Sequence, residues 1–342
     1  MAARFLRYTN AFLMILLIFL TATGLYGLAF VLPAWTFELH RIAAWAVVAL
    51  APWKAVIAWR SLRRGPDARF DRSTMLVISL GLTVLVGLVL VSGFSWTWRL
   101  GPQLIWLGDF GDSVIDWHWI LGLVIWLPLL AHLIRRWPKP RVSDFTARRS
   151  ALKTLGLAMA GLAGWQAAEA LARLRMDPQE PRTFTGSRLA APFGGNAMPV
   201  TLSLGERDLN LDPQTWSLTL AVGETLTTLT YAQLLALPTT EIEATLDCTT
   251  GWYSPQRWGG VLLSDVVSAA YPGGRAAQAV RLVGQSGYST LLVGDHVNDL
   301  LLATHLGGEP LAARHGFPVR AVAPRCRGWQ WVKWLTRVEV LA

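Results

Sequence analysis

The sequence predicts a multi-domain membrane protein, an α-helical transmembrane bundle followed by an α+β domain, and three observations predict it. Apolar residues make up 53% of the 342 residues and charged residues only 15%, and the surplus is concentrated in the first half, in runs long enough to cross a bilayer. Positive charge alternates between the connections of those runs, as it does in membrane bundles. From Leu189 onward the texture changes to short β-branched runs broken by Gly, Pro, Asn and Asp, which is how strands and turns read.

Five spans are expected. The first is Ala11 to Leu32, preceded by Arg4 and Arg7, and too long to be a removable signal peptide. Ile42 to Trp59, Ser73 to Val91 and Trp117 to Ile134 follow, and the fifth, Ala151 to Ala172, is rich in Ala and Gly and contains Gln166 and Glu169. The second-to-third connection carries Arg60, Arg63, Arg64, Arg69 and Arg72. The fourth-to-fifth carries Arg135, Arg136, Lys139, Arg141, Arg148, Arg149 and Lys153. The other two connections have almost no positive charge besides Arg41 and Arg99. This asymmetry places the N-terminus in the cytoplasm and everything after about Leu174 on the external face of a bacterial inner membrane. Arg148-Arg149-Ser150-Ala151-Leu152-Lys153 reads either as a twin-arginine-like export signal or as a plain positive-inside stop. The expected divisions are a bundle over 1–140, a basic linker with the fifth helix over 141–180, and an external domain over 181–342.

The formal charge of +9 follows from this topology and gives no reason to expect nucleic acid. Two cysteines do not make a disulfide framework. In the external domain, strands are expected at Trp216 to Val222, Glu243 to Asp247, Ala279 to Val283 and Val319 to Ala323. Helical pieces are expected at Tyr231 to Ala236, Leu262 to Ala270 and Val297 to Ala303, a mixture of the α+β class.

Three histidines lie in or beside spans, where ionisable residues are costly and point to function. His118 and His132 are fourteen residues apart on one helix, about 21 Å along nearly one face. Spans two and four run in the same direction, so His40 and His118 share the outer end. Two imidazoles at equal depth suit a six-coordinate haem iron; the plain alternative is interfacial histidines facing water. On this spacing, Met1 to Pro140 resembles the four-helix cytochrome b subunits of formate dehydrogenases and nickel-iron hydrogenases. The resemblance implies two haems, but the first span carries no histidine, with Asn10 near the expected ligand position. One haem b at His40 and His118 is expected, with His132 orphaned or paired to another ligand type.

Cys248 sits at the end of a strand-like run, in Thr245-Leu-Asp-Cys-Thr-Thr-Gly-Trp-Tyr-Ser-Pro-Gln-Arg-Trp-Gly-Gly260, and reads as either a buried filler or a reactive soft ligand. Two later segments carry cations: Arg314-His315-Gly316-Phe317-Pro318-Val319-Arg320 and Gly328-Trp329-Gln330-Trp331-Val332-Lys333-Trp334-Leu335. A thiolate suits a soft metal, and His315, Arg320 and Lys333 suit a phosphate. Chemistry alone thus gives an anionic cofactor near a thiolate, or an ordinary basic surface.

The order and spacing of these segments resemble the molybdopterin domain of the sulfite oxidase family, from about Arg188 to the C-terminus. The resemblance implies that Cys248 ligates molybdenum, upstream of the Arg257-Trp258-Gly259-Gly260 step, and that Asn196, His315, Arg320 and Lys333 contact the pterin. Phe193-Gly194-Gly195-Asn196-Ala197-Met198-Pro199 aligns with a family segment whose Arg and His help hold sulfite; Gly195 and Ala197 replace them here. A sulfoxide or similar small oxo-substrate is therefore as plausible as sulfite. Together the resemblances imply a membrane-bound molybdenum oxidoreductase exchanging electrons through haem b with membrane quinone. A haem-free tethered cofactor-binding or electron-carrier module, and a sulfite dehydrogenase, are the alternatives. Cys326 is read as incidental, His296 and His305 as surface or helix-end residues that could border the pocket, and Trp329, Trp331 and Trp334 as packing, with the membrane surface as one partner.

Overall fold

The computed structural model describes residues 2–33, 35–63, 72–101, 103–107, 110–136, 148–174, 183, 186–202, 208–272 and 277–341. Most of the basic connections behind the orientation argument, 64–71 and 137–147, lie outside them, as does linker 175–182. The chain divides into two compact units, Met1–Glu180 with Phe184–Gly186, and Pro181–Thr183 with Ser187–Ala342.

The first unit is helical: α1 (Ala2–Ala29), α2 (Trp35–Arg63), α3 (Arg72–Trp98), α4 (Val114–Val124), α5 (Trp126–Arg136) and α6 (Arg148–Arg173), with a short antiparallel pair β1 (Leu104–Leu107) and β2 (Phe110–Ser113) before α4. Ser113 caps α4, its hydroxyl accepting from Asp116 N. The passage from α4 to α5 stays helical, since Ile125 keeps right-handed helical angles and Leu129 N bonds Ile125 O. Pro128, which has no N–H to offer Val124, accounts for the interruption.

Helices form at all five expected spans, but among the described residues only three stretches are apolar and long enough to cross a bilayer: Thr9–Ala29, Leu76–Trp98 and Val114–Ile134. They expose large apolar side chains, with Val77 68%, Leu80 62% and Leu127 72% exposed. α2 and α6 carry polar groups among their apolar residues. Arg41 pairs with Glu169. A Cβ on Gly161 would lie 3.1 Å from Ala46 Cα, and one on Gly164 3.3 Å from the Trp45 ring, so small residues let the two helices approach closely.

The second unit is built on two sheets. In the first, β10 (Leu301–Leu306) lies between β7 (Trp252–Leu262) and β12 (Arg320–Val322) with β11 (Glu309–Pro310), while β7 also pairs with β6 (Thr240–Asp247) and, in parallel, with β3 (Arg188–Leu189). The second runs β5 (Thr225–Thr230), β4 (Ser217–Val222), β13 (Leu335–Leu341), β8 (Ala279–Gly284), β9 (Ser289–Val293), with β4 and β13 parallel. Helices α7 (Tyr231–Leu235), α8 (Leu263–Ala270) and α9 (Asp295–Asn298) punctuate them. Thr230 and Gln233 form a capping box that starts α7.

The core joins Leu218, Leu220, Leu282 and Val338 of one sheet with Trp258, Val261 and Leu301–Ala303 of the other. One expected element is wrong. Val297 to Ala303 is not a helix: α9 ends at Asn298 and β10 begins at Leu301. Leu300 to Ala303 are wholly buried, and a short, fully buried apolar run has no periodicity that separates strand from helix. Trp331 and Trp334 are likewise in the interior, 2% and 0% exposed, so only Trp329 of the three reaches the surface.

Candidate cofactor sites

In the second unit, β6 and β7 form a hairpin whose turn holds Cys248. Cys248 N bonds Trp252 O at 2.8 Å and Gly251 N bonds Cys248 O at 3.2 Å. Gly251 takes φ +90°, a backbone state that a Cβ disfavours, which explains glycine in the turn. Cys248 is buried, and its Sγ lies 3.2 Å from Thr250 Oγ1 and 3.5 Å from Thr201 Oγ1. Trp252 Nε1 donates to Thr201 Oγ1 at 3.2 Å, leaving that hydroxyl's own proton for the sulfur or for Thr250 Oγ1, 3.0 Å away.

The cationic segments converge through close backbone contacts. Lys333 Nζ donates to Thr201 O at 3.1 Å, linking it to the Cys248 network. Gly316, at φ +107°, has no room for a Cβ, which would lie 3.0–3.1 Å from Lys333 Cα and Cβ. This approach seats the His315 turn against Lys333. Arg320 Nη1 donates to His315 O at 3.2 Å and its guanidinium lies 5.6 Å from the Trp258 ring centre. Trp258 in turn meets Trp331 edge to face at 5.5 Å. Arg320 and Lys333 are 6% and 9% exposed, so both charges are largely withdrawn from water, where an anionic partner gains most.

His315 is 1% exposed. Its Nε2 faces Asn196 O at 3.1 Å, and because a carbonyl only accepts, Nε2 carries the proton. Its pKa is lowered to about 4, mainly by burial and also by Arg320, Lys333 and Arg314, against the opposing Asn196 hydrogen bond. The ring is therefore neutral at pH 7 and Nδ1 is an acceptor. Among the described residues, Nδ1 has no hydrogen-bond partner, so a buried lone pair stands beside three cations.

Asn196, expected as a cofactor contact, lies beside His315 and also shapes the backbone there. Its amide is engaged by backbone, Nδ2 donating to Pro310 O at 2.9 Å and Oδ1 accepting from Ala312 N at 2.8 Å. It fixes the chain leading to His315. Gln256 supports the same turn, its Oε1 accepting from Gly195 N and its Nε2 donating to Ala191 O. Cys326 is buried with its thiol pushed up to about 11 by burial, in keeping with an incidental role. Sequence reasoning missed Thr201, Thr250 and Trp252, since isolated hydroxyls and an indole carry no signal until the hairpin places them around the sulfur. It also missed Arg188, 8% exposed on β3 beside Trp252.

In the first unit, His40 of α2 and His118 of α4 meet with ring centroids 6.2 Å apart and planes inclined by 68°. His40 Nδ1 lies 2.8 Å from Thr23 Oγ1, whose own proton is directed to Phe19 O at 2.8 Å, so Nδ1 donates to Thr23. His118 Nδ1 donates to Val89 O at 2.9 Å. Both rings thereby keep Nε2 as the free lone pair. A Cβ on Gly93 would lie 2.9 Å from His118 Cε1, so this glycine makes room for the imidazole. His132 lies on α5, apart from this pair in sequence and in element.

Residues 205–342 match the family described as the oxidoreductase molybdopterin binding domain. Mitochondrial sulfite oxidase of Rattus norvegicus is 32% identical over 165 residues, 38% of this chain and 30% of that protein. The uncharacterized oxidoreductase YuiH of Bacillus subtilis is 32% identical over 114 residues, 32% of this chain and 57% of its own. The NAD(P)H nitrate reductase of Hordeum vulgare is 39% identical over 103 residues, 26% of this chain and 12% of its own. The solved sulfane dehydrogenase SoxCD from Paracoccus pantotrophus is 25% identical, covering 39% of this chain and 40% of its own, with a TM-score of 0.36. The chain thus spans between about one eighth and three fifths of these relatives' lengths. The match over residues 205–342 supports an oxidoreductase molybdopterin-binding domain in the second unit.

Proposed function

We propose that the chain is a membrane-bound molybdenum enzyme that transfers an oxo group to or from a small substrate and exchanges the electrons through haem b with the quinone pool. The observation that carries the first half is the convergence of Cys248, His315, Arg320 and Lys333 in one buried place. The residues fit the cofactor. A soft sulfur is aimed into a hydroxyl-lined turn, an orphaned imidazole acceptor suits a pterin N–H or a phosphate O–H, and two largely buried cations suit a phosphate. When bound, the molybdenum centre supplies two-electron oxo-transfer, while the protein supplies ligand, position and charge. Cys248 would hold the metal. Thr201 and Thr250 would donate to its sulfur, and Lys333, tied to Thr201, would couple the phosphate side of the site to the ligand side.

For the first unit, the His40–His118 separation supports a haem iron. The two rings stand 6.2 Å apart between centroids, and His40 and His118 would hold the iron. Hydrogen bonds at Nδ1 fix the tautomer and orientation of each ring and would leave Nε2 for a metal. Haem supplies single-electron steps between a two-electron centre and a quinone. The pairing of His40 with His118 uses two of the three histidines of this unit, which supports one haem rather than two. The apolar outer faces of the three long helices support insertion in the bilayer, with the N-terminus cytoplasmic and the molybdopterin domain on the external, periplasmic face by the charge asymmetry of the connections. As to substrate, the turn Gly195–Ala197 offers no cation for a dianion, which favours a neutral oxo-compound such as a sulfoxide over sulfite.

The test is cofactor analysis of the full chain purified in detergent from cells supplied with molybdate. About one molybdenum and one b-type haem per chain are expected, with molybdenum lost in Cys248→Ser and haem lost in His40→Ala and His118→Ala. Molybdenum retained in Cys248→Ser, or no b-type absorption bands in the unaltered chain, overturns the corresponding half.

A further inference from the structure

Directly behind the cysteine turn lies a buried ion pair that the cofactor contacts above leave unexplained. Asp247, the residue before Cys248, is met by Arg327, whose Nη1 stands 2.6 Å from Asp247 Oδ2. The Arg327 side chain is 1% exposed and that of Asp247 12%. The backbone beside Arg327 is pressed onto the same place: a Cβ on Gly328 would lie 2.8 Å from Asp247 O and 3.4 Å from Cys248 Cα. The turn 327–331 is itself fixed, by Gln330 Oε1 accepting from Arg327 N at 3.1 Å and by Trp331 Nε1 donating to Cys326 O at 3.3 Å. Two residues beyond that turn is Lys333.

We propose that the Asp247–Arg327 pair is a clasp that sets the position of Cys248 relative to the cationic segment, and that both are positioning residues for the molybdenum ligand. The proposal rests on the reading of Cys248 as that ligand. Arg327 Nη1 is engaged by Asp247, so its effect passes through Asp247 and the backbone between Asp247 and Cys248. Stability alone is a poor reason for such a pair, because apolar residues of similar volume often replace a buried ion pair without loss. What an apolar pair cannot do is hold two chain segments in one register through a directional contact. The geometry suits that role, since the carboxylate is one residue from the sulfur ligand and the guanidinium is six residues before Lys333. A ligand displaced by a fraction of an ångström changes the field at the metal and the fit of the pterin phosphate on Arg320 and Lys333.

The experiment uses the full chain and two variants, Asp247→Leu/Arg327→Met, which exchanges the pair for apolar volume, and Asp247→Asn, which keeps the shape and removes the charge. The readouts are the Mo(V) electron paramagnetic resonance spectrum and the rate at which molybdenum is lost from the diluted protein, each beside a thermal unfolding curve. In variants that unfold with the unaltered chain, the clasp gives a shifted or multiple Mo(V) signal and metal loss about tenfold faster. If the double variant does not fold, Asp247→Asn decides on the same readouts. An unaltered Mo(V) spectrum and loss rate in a folded variant overturns the clasp and leaves the pair a structural contact. Cys248→Ser run alongside separates the two levels: molybdenum retained with an unaltered Mo(V) spectrum there overturns the underlying ligand reading instead.

Discussion

His315 gives the sharpest quantitative test of the cofactor cradle. Burial, aided by Arg320, Lys333 and Arg314, holds its pKa at about 4 against an ordinary 6.5. Between those values the unfolded chain binds a proton that the folded chain refuses, so stability rises with pH through this window. The contribution is fully present above pH 6.5 and is lost as pH falls towards 4. The full shift corresponds to roughly 3 kcal/mol, and at pH 5 the loss relative to pH 7 is about 2 kcal/mol. The assay is unfolding of the cofactor-free chain in detergent at pH 7 and pH 5, compared with His315→Asn, which cannot titrate. The difference between the two proteins should grow more unfavourable for the unaltered chain by about 2 kcal/mol on acidification. Bound anionic cofactor offsets the neighbouring cations and should shrink that difference. The same pH dependence in His315→Asn as in the unaltered chain would refute a neutral, buried imidazole at this place.

Further outcomes follow from the same geometry. Gly316→Ala, which puts a Cβ at φ +107° within 3.0–3.1 Å of Lys333, should destabilise the second unit by about 2 kcal/mol or more and weaken cofactor retention, measured by thermal unfolding and molybdenum content. Thr250→Val removes a hydroxyl 3.2 Å from Cys248 Sγ and should shift the Mo(V) resonance without loss of the metal; an unaltered spectrum contradicts a hydrogen bond to the ligand sulfur. Thr23→Val removes the acceptor for His40 Nδ1 and should change the reduction potential of the haem, read by redox titration of its absorption bands, while leaving haem bound. Gly161→Leu forces α2 and α6 apart and should lower the yield of folded chain from detergent, with the isolated spectrum of any folded fraction unchanged.

Much of the candidate site is legible in the sequence because its chemistry is carried by scarce residues. With two cysteines and six histidines in 342 residues, Cys248, His315, His40 and His118 stand out, and the shared direction of spans two and four puts the last two at one depth. Their 6.2 Å approach agrees with that depth match. Common residues are illegible. Thr201 and Thr250 acquire meaning only from a hairpin that gathers positions 49 apart, and Arg327 reads as one more arginine until Asp247 is found against it. Asn196 lies beside His315, and its amide also bonds the backbone at Pro310 and Ala312, which no local pattern announces. At the level of fold, helices α2 and α6 show apolar character, yet Arg41 and Glu169 satisfy each other, a long-range fact hidden from a window along the chain. The misread run Val297 to Ala303 fails for a related reason: burial on both sides erases the alternation by which strands are recognised.

The proposed function has electrons pass between a molybdenum centre held by Cys248 and a haem held by His40 and His118, and one measurement tests this directly. The full chain is reduced with a quinol analogue and mixed anaerobically with a sulfoxide, and in a parallel run the oxidised chain is mixed with sulfite, while the b-type absorption bands are followed. One of the two substrates should change the haem redox state in the unaltered chain, and Cys248→Ser should still take electrons from quinol but no longer respond to that substrate. A haem that responds equally in Cys248→Ser, or that responds to neither substrate in a chain carrying full molybdenum and haem, would contradict it.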